Sequence, residues 1–138
     1  MHTETALIND CYARPAGLYA ALRERLGEFP LMHYWGPMAG LASSKWIAAA
    51  TEHVWRDLQP DLCLTYLPHL DYNTQRRGPD PALLAEDIAQ IDALVGRLAE
   101  VAAERCRKAL ERFSRALPSV GTSSRSQRVT SMKSSSTT

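Results

Sequence analysis

A short apolar run bounded by two prolines constrains the fold of this chain more than any other feature. The run extends from Leu62 to Leu67 and lies between Pro60 and Pro68. Proline has no backbone N–H and a fixed φ, so the two prolines mark the ends of a regular element. A continuous apolar run of this length is typical of a strand buried on both faces, as in a parallel sheet. The sequence therefore predicts an α/β fold that contains this strand.

A cluster of polar side chains follows the predicted strand directly and ends at Gly78-Pro79. In open α/β sheets, ligands bind in the crevice beyond the carboxyl ends of the strands. The segment after the strand is therefore predicted to be a site loop. Its polar members are His69, Asp71, Asn73, Gln75, Arg76 and Arg77.

Helical spacing is predicted on both sides of the strand. Upstream, Pro15 begins a helix that Gly27 ends. A second helix is capped by Ser43 or Ser44 and ends at Pro60. Between these helices, residues 28–40 form a loop rich in aromatic residues, proline and glycine. Two of its aromatic residues, Tyr34 and Trp35, either pack under the loop or stack on a flat ligand group.

The most periodic part of the chain follows Asp80-Pro81, a suitable N-cap and first helical residue. Apolar residues recur there in steps of three and four, with Asp87 outside the stripe. We expect this helix to reach Leu110 or Phe113 and its stripe to pack in the core, with dimer contact as the alternative. The stripe consists of Leu84, Ile88, Ile91, Val95, Leu98 and Ala102.

The two ends of the chain differ from its middle. We divide the chain into an irregular N-terminus (1–13), an α/β segment (14–113) and a tail (114–138). From Pro118 onwards the tail is rich in Ser and Thr and contains no acidic residue. Such a composition cannot bury a core, so we expect the tail to be disordered.

Charge, hydropathy and cysteine spacing limit the classes of partner. The net charge of +1 gives no whole-chain argument for binding nucleic acid or membrane surfaces. There is neither an apolar segment of about 20 residues nor a basic, then apolar, secretory signal. Three widely spaced cysteines without a CxxC motif are typical of reduced thiols. These features predict a cytoplasmic protein with no membrane or nucleic-acid partner.

Three segments together resemble the type I phosphodiesterase / nucleotide pyrophosphatase family, which belongs to the alkaline phosphatase superfamily. The segments are FPLMHYWGPMAGLASSKWIAAAT, PDLCLTYLPHLDYNTQRRGPD and IAQIDALVGRL, and the resemblance covers roughly residues 11–100. It implies a partial alkaline-phosphatase-like core, with one or a few strands and flanking helices. It also implies a hydrolase that acts on phosphate esters, using two zinc ions and a hydroxyl nucleophile.

The most specific piece of the resemblance is the family pattern D-x-x-x-H-x-x-G-P, in which the Asp and the His bind one zinc ion. Asp71 takes the Asp position, Gly78-Pro79 takes the Gly-Pro position, and Gln75 replaces the His. Gln is a poor zinc ligand, and His69 is the second candidate ligand. The resemblance makes Gln75, Arg76, Tyr34 and Trp35 candidate residues of the substrate pocket.

The nucleophile and the other metal ligands of the family have no counterpart in this chain. We therefore interpret the chain as part of a zinc-dependent phosphodiesterase that is inactive in isolation and binds zinc weakly, if at all. The alternative is a non-catalytic helical module that associates with a partner. Self-association through the exposed edges of the strand is a further expectation.

Overall fold

The computed structural model describes residues 11–116, which contain four α-helices and two short helical turns. Residues 1–10 and 117–138, which include most of the predicted N-terminal segment and tail, lie outside the described residues. The elements in chain order are α1 (Leu18–Leu26), a 3₁₀ turn (Leu31–His33), α2 (Leu41–His53), a π-helical turn (Val54–Leu58), α3 (His69–Arg77) and α4 (Pro81–Ala116).

The predicted strand is wrong, and with it the α/β class and the partial alkaline-phosphatase-like core. Residues 62–67 form an irregular connection with no backbone–backbone hydrogen bond to any other described residue. Leu62 and Leu64 are 73% and 86% exposed. A strand requires a neighbour to complete its hydrogen-bond ladder, and residues 11–116 contain no second strand. The described chain is therefore all-helical.

α2 forms the centre of the core because small side chains let its neighbours approach closely. Ser43 and Ser44 are fully buried and Ala48 is 2% exposed. α2 contacts α1, α3 and α4. Its end departs from α-helical geometry in the π-helical turn, which closes at Gln59 with a φ of 50°.

α4 begins as predicted, since the Asp80 carboxylate accepts a hydrogen bond from the Ala82 N–H at 2.9 Å. Its buried face differs from the predicted stripe. Asp87, Leu94 and Val101 are its buried residues, whereas Ile88 and Val95 are about half exposed at 52% and 49%. The helix packs against α2 and α3 on one side. The residues that this contact buries are seven positions apart in the sequence. From residue 106 to Ala116 every side chain of α4 is exposed.

None of the helices within residues 11–116 combines the length and apolar content that a bilayer-spanning segment needs.

Candidate functional site

Five of the six residues predicted for the site line one cavity of about 270 Å³ between the aromatic loop and α3. They are Asp71, Gln75, Arg76, Tyr34 and Trp35. Tyr66, from the irregular connection, and Tyr72, from α3, also line this cavity. We call it the Asp71 cavity. The sixth predicted residue, His69, does not line it.

The register of α3 explains why these side chains meet. The segment after Pro68 was predicted to be a loop, but it forms a nine-residue helix that stops at Gly78, where φ is 82°. Residues four apart lie on the same face of a helix, so Asp71 and Gln75 are neighbours. Arg76 lies beside them. In a loop, the side chains of Asp71 and Gln75 would have no fixed distance from each other and no fixed orientation.

Arg76 fixes the aromatic loop against α3. Its Nη2 donates to the carbonyl oxygens of Gly36 and Pro37, both at 3.2 Å, and of Ala39 at 2.8 Å. Its guanidinium also lies 5.9 Å from the centre of the Tyr72 ring. One side chain therefore holds the segment that carries Trp35.

Tyr72 secures the same loop from inside the protein and was not singled out by the sequence. It is 9% exposed, and its hydroxyl donates to the Tyr34 carbonyl oxygen at 2.9 Å. The hydroxyl also lies 3.2 Å from Ser43 Oγ in α2. A buried hydroxyl requires such partners. The available signal was its place four residues before Arg76, which puts the two side chains on the same face of α3.

Asp71 has one specific hydrogen-bond donor in the cavity. The Tyr66 hydroxyl donates to Asp71 Oδ2 at 2.6 Å. This hydrogen bond is the main reason why the pKa of Tyr66 is raised to about 12, with desolvation and the negative charge of Asp71 contributing less. The Tyr66 phenol therefore remains protonated and remains a donor at neutral pH.

Removing the Asp71 carboxylate should return the pKa of Tyr66 to its ordinary value of about 10. Because the folded-state pKa is raised, the stabilising contribution of this hydrogen bond is complete below pH 10 and is lost as pH approaches 12. An alkaline absorbance titration of the native chain and Asp71→Ala would measure the shift, with Tyr66→Phe identifying the phenol concerned. Superimposable native and Asp71→Ala curves would contradict the assignment.

His69 lies in a buried polar cluster between α3 and α4. It is 5% exposed, and its Nε2 lies 2.8 Å from Gln90 Oε1 and 3.3 Å from Asp87 Oδ1. The Gln90 amide group donates to Glu86, so its oxygen faces His69 and Nε2 carries the proton. Asn73 Nδ2 completes the cluster by donating to Asp87 Oδ2 at 2.7 Å. The contacts of His69 thus hold α3 against α4.

The residues of the Asp71 cavity do not by themselves fit a zinc ion. A catalytic zinc site uses about three protein ligands. The cavity offers one carboxylate, which already accepts a hydrogen bond from Tyr66, and the amide of Gln75. Within residues 11–116, no group of three His, Cys, Asp or Glu side chains is arranged to hold a metal ion.

Comparison with known proteins gives one family. The family model described as type I phosphodiesterase / nucleotide pyrophosphatase matches residues 2–109 of the chain. Neither the curated proteins nor the solved structures contain a match. The matched range includes every residue of the Asp71 cavity.

Proposed function

Because this chain belongs to the type I phosphodiesterase / nucleotide pyrophosphatase family, we propose that its Asp71 cavity forms part of the active site of a metal-dependent phosphoric ester hydrolase. The observation that carries this proposal is the convergence of Asp71, Gln75 and Arg76 with two aromatic side chains on one cavity. In this proposal Asp71 takes the position of the metal-binding Asp in the pattern that the sequence resembles, and the phosphoester group of the substrate binds in the Asp71 cavity.

Each polar group in the cavity has a role in this proposal. Arg76 uses Nη2 for the loop carbonyls, and its remaining N–H groups are available to a phosphate oxygen. Gln75 places an amide, which can donate a hydrogen bond, where the family has an imidazole. Trp35, which is 64% exposed, provides a flat wall for the organic part of the ester.

Residues 11–116 supply only part of the chemistry that we propose for the complete site. The metal of the complete family, proposed to be zinc, would take one carboxylate oxygen from Asp71. The remaining ligands would have to come from outside residues 11–116, because those residues provide no further ligand cluster. We therefore propose that the isolated chain is inactive as a hydrolase.

A second candidate function is favoured by the exposed connection before α3. Leu62, Leu64 and Tyr66 are 73%, 86% and 59% exposed, and the segment makes no backbone pairing among the described residues. Exposed apolar side chains beside unpaired backbone groups favour association with another chain. A non-catalytic module that binds a partner, or a second copy, through this segment is the alternative proposal.

The proposed role of the cavity is tested by binding of bis(4-nitrophenyl) phosphate, a phosphodiester with two flat groups. We expect saturable chemical-shift changes at the Trp35 indole N–H, with none at Trp46, whose N–H is bonded to the Gly27 carbonyl oxygen. Added zinc should change this affinity by less than about twofold, because residues 11–116 provide no cluster of three metal ligands.

Asp71→Asn should strengthen binding of the diester about threefold, because it removes a negative charge beside the anionic phosphate in the cavity. The matched control is Asp61→Asn, an exposed carboxylate outside the cavity, which should leave the affinity within about twofold of that of the native chain. A Trp35 signal that does not move, or equal effects of the two substitutions, would contradict the proposal.

A further inference from the structure

A second cleft lies between the π-helical turn and α4 and shares no lining residue with the Asp71 cavity. Its volume is about 340 Å³. We call it the Trp55 cleft, after the indole that lines it. The charged residues of its lining are Arg56, Arg105, Lys108, Arg112 and Glu104.

Cations outnumber carboxylates in the Trp55 cleft by four to one. Glu104 lies 2.6 Å from Lys108 Nζ and 3.6 Å from Arg56, so one carboxylate is shared by two cations. The hydrogen bond from Lys108, together with nearby positive charge, lowers the pKa of Glu104. Arg56 has one more carboxylate neighbour, Glu52 at 3.8 Å, outside the lining. The cleft therefore retains an excess of positive charge.

Arg112 forms the fewest polar interactions of these four cations. It forms no ion pair or hydrogen bond with any residue in 11–116, although it lines the cleft beside Lys108. Arginine presents several N–H donors in a planar fork that matches a phosphate group. Arg112 therefore contributes both charge and donors that the described chain does not use.

Arg105 and Trp55 form a fixed frame for the cleft. The Arg105 guanidinium lies 4.6 Å from the centre of the Trp55 ring and donates to the carbonyl oxygens of Gln59 at 3.0 Å and Pro60 at 2.8 Å. These bonds join α4 to the two residues that follow the π-helical turn. The buried Trp55 Nε1 has no hydrogen-bond partner among the described residues. It is a donor only, so any polar ligand that reaches it must offer an acceptor.

Positive charge is concentrated in the C-terminal part of the sequence, which also supplies most of the cations of the Trp55 cleft. Residues 105–138 contain eight Lys and Arg and one acidic residue, whereas residues 1–104 contain eight Lys and Arg and fourteen acidic residues. Such an asymmetry is typical of chains that bind an anionic partner through one end. Three of the four cations of the cleft, Arg105, Lys108 and Arg112, belong to this basic end.

We propose that the Trp55 cleft binds a small molecule that carries two or more phosphate groups, at a site separate from the Asp71 cavity. Arg56, Lys108 and Arg112 supply charge-assisted donors to the phosphate oxygens. The volume is within the range of small-ligand pockets. A single-stranded nucleic acid fits less well, because such binding relies on stacked bases and Arg105 already lies over the Trp55 ring.

The test is a titration of the full chain with inorganic tripolyphosphate, without added metal, followed by the indole N–H signals. The three tryptophans report on three places: Trp55 on the cleft, Trp35 on the Asp71 cavity and Trp46 on the α1–α2 contact. We expect a saturable shift at Trp55. Arg112→Gln should weaken binding about fivefold, the effect of one partly exposed ionic contact.

The matched control is Arg115→Gln, the same charge change on the same helix outside the cleft lining. It should change the affinity by less than about twofold, since Arg115 does not line the cleft and its charge is paired with Glu111, 4.0 Å away. Equal weakening by both substitutions, or a shift at Trp35 without one at Trp55, would overturn the proposal. Tighter binding of a 12-nucleotide single strand that survives Arg112→Gln would also overturn it, in favour of nucleic acid on the basic end.

Discussion

Replacing Asp87 with alanine should lower the free energy of unfolding by about 2–4 kcal/mol. Asp87 is 6% exposed and accepts a 2.7 Å hydrogen bond from Asn73, and its other oxygen lies 3.3 Å from His69 Nε2. Alanine would leave the Asn73 amide without its acceptor and His69 without a charged neighbour. Since these contacts hold α3 on α4, the loss should also loosen the helix that carries Asp71.

Urea unfolding followed by helical circular dichroism would measure this change. The matched control is Asp92→Ala in the same helix, where the carboxylate is exposed and has no hydrogen bond or ion pair within the described residues. Both substitutions gain the same helix propensity, so their difference isolates the buried cluster. We expect Asp92→Ala to stay within about 0.5 kcal/mol of the native chain. Equal stability of the two variants would contradict the structural role of the cluster.

Replacing Arg76 with alanine should lower the free energy of unfolding by about 1.5–3 kcal/mol, the range for hydrogen bonds that involve a charged group. Its Nη2 donates hydrogen bonds to the carbonyl oxygens of Gly36, Pro37 and Ala39. The alanine variant leaves all three oxygens without this donor. The loop that carries Trp35 would then be connected to α3 by the Tyr72 hydrogen bond without those of Arg76. Phosphodiester binding at the Asp71 cavity should weaken as well.

Arg77→Ala is the control for Arg76→Ala. Arg77 is the next residue of the same helix, is exposed, and forms no hydrogen bond or ion pair with residues 11–116. The charge change and the change in helix propensity are the same. Chemical unfolding should therefore place Arg77→Ala close to the native chain. Similar destabilisation by both variants would show that charge, rather than the loop carbonyls, accounts for the effect of Arg76.

The long helix was the most predictable element of the fold. The apolar steps from Leu84 to Ala102 predicted it, and the Asp80 cap fixed its start. Its buried face was less predictable, because the periodicity of one helix does not reveal which neighbours cover it. The sequence pattern predicts Asp87 to be a polar residue outside the apolar stripe. Its burial depends on His69 and Asn73 in another helix, and no local pattern carries that information.

The predicted strand failed for a different reason. The run from Leu62 to Leu67 has the composition of a buried strand, and the prolines at its ends do bound an irregular connection. Strand formation depends on a pairing partner, which a local pattern cannot provide. The described residues contain none, so the run remains unpaired and largely exposed.

Much of the candidate site followed from the sequence, although its local structure did not. The motif at Asp71 and Gln75 identified two cavity residues, and the aromatic loop identified Tyr34 and Trp35. The strand prediction implies a loop after Pro68, whereas His69–Arg77 is a helix and Asp71 and Gln75 are one helical turn apart. Tyr66 was hidden inside the apolar run, and its hydrogen bond to Asp71 depends on the turn at Pro68.

The most direct test of the account is hydrolysis of bis(4-nitrophenyl) phosphate by the purified chain with added zinc. The account predicts release of 4-nitrophenolate at the background rate, for both the native chain and Asp71→Ala. The reason is that the described residues supply one carboxylate in the cavity and no cluster of three metal ligands, whereas this chemistry requires a nucleophile and metal ions in near-correct geometry. Turnover by the native chain that disappears in Asp71→Ala would contradict the account, because the site would then be complete.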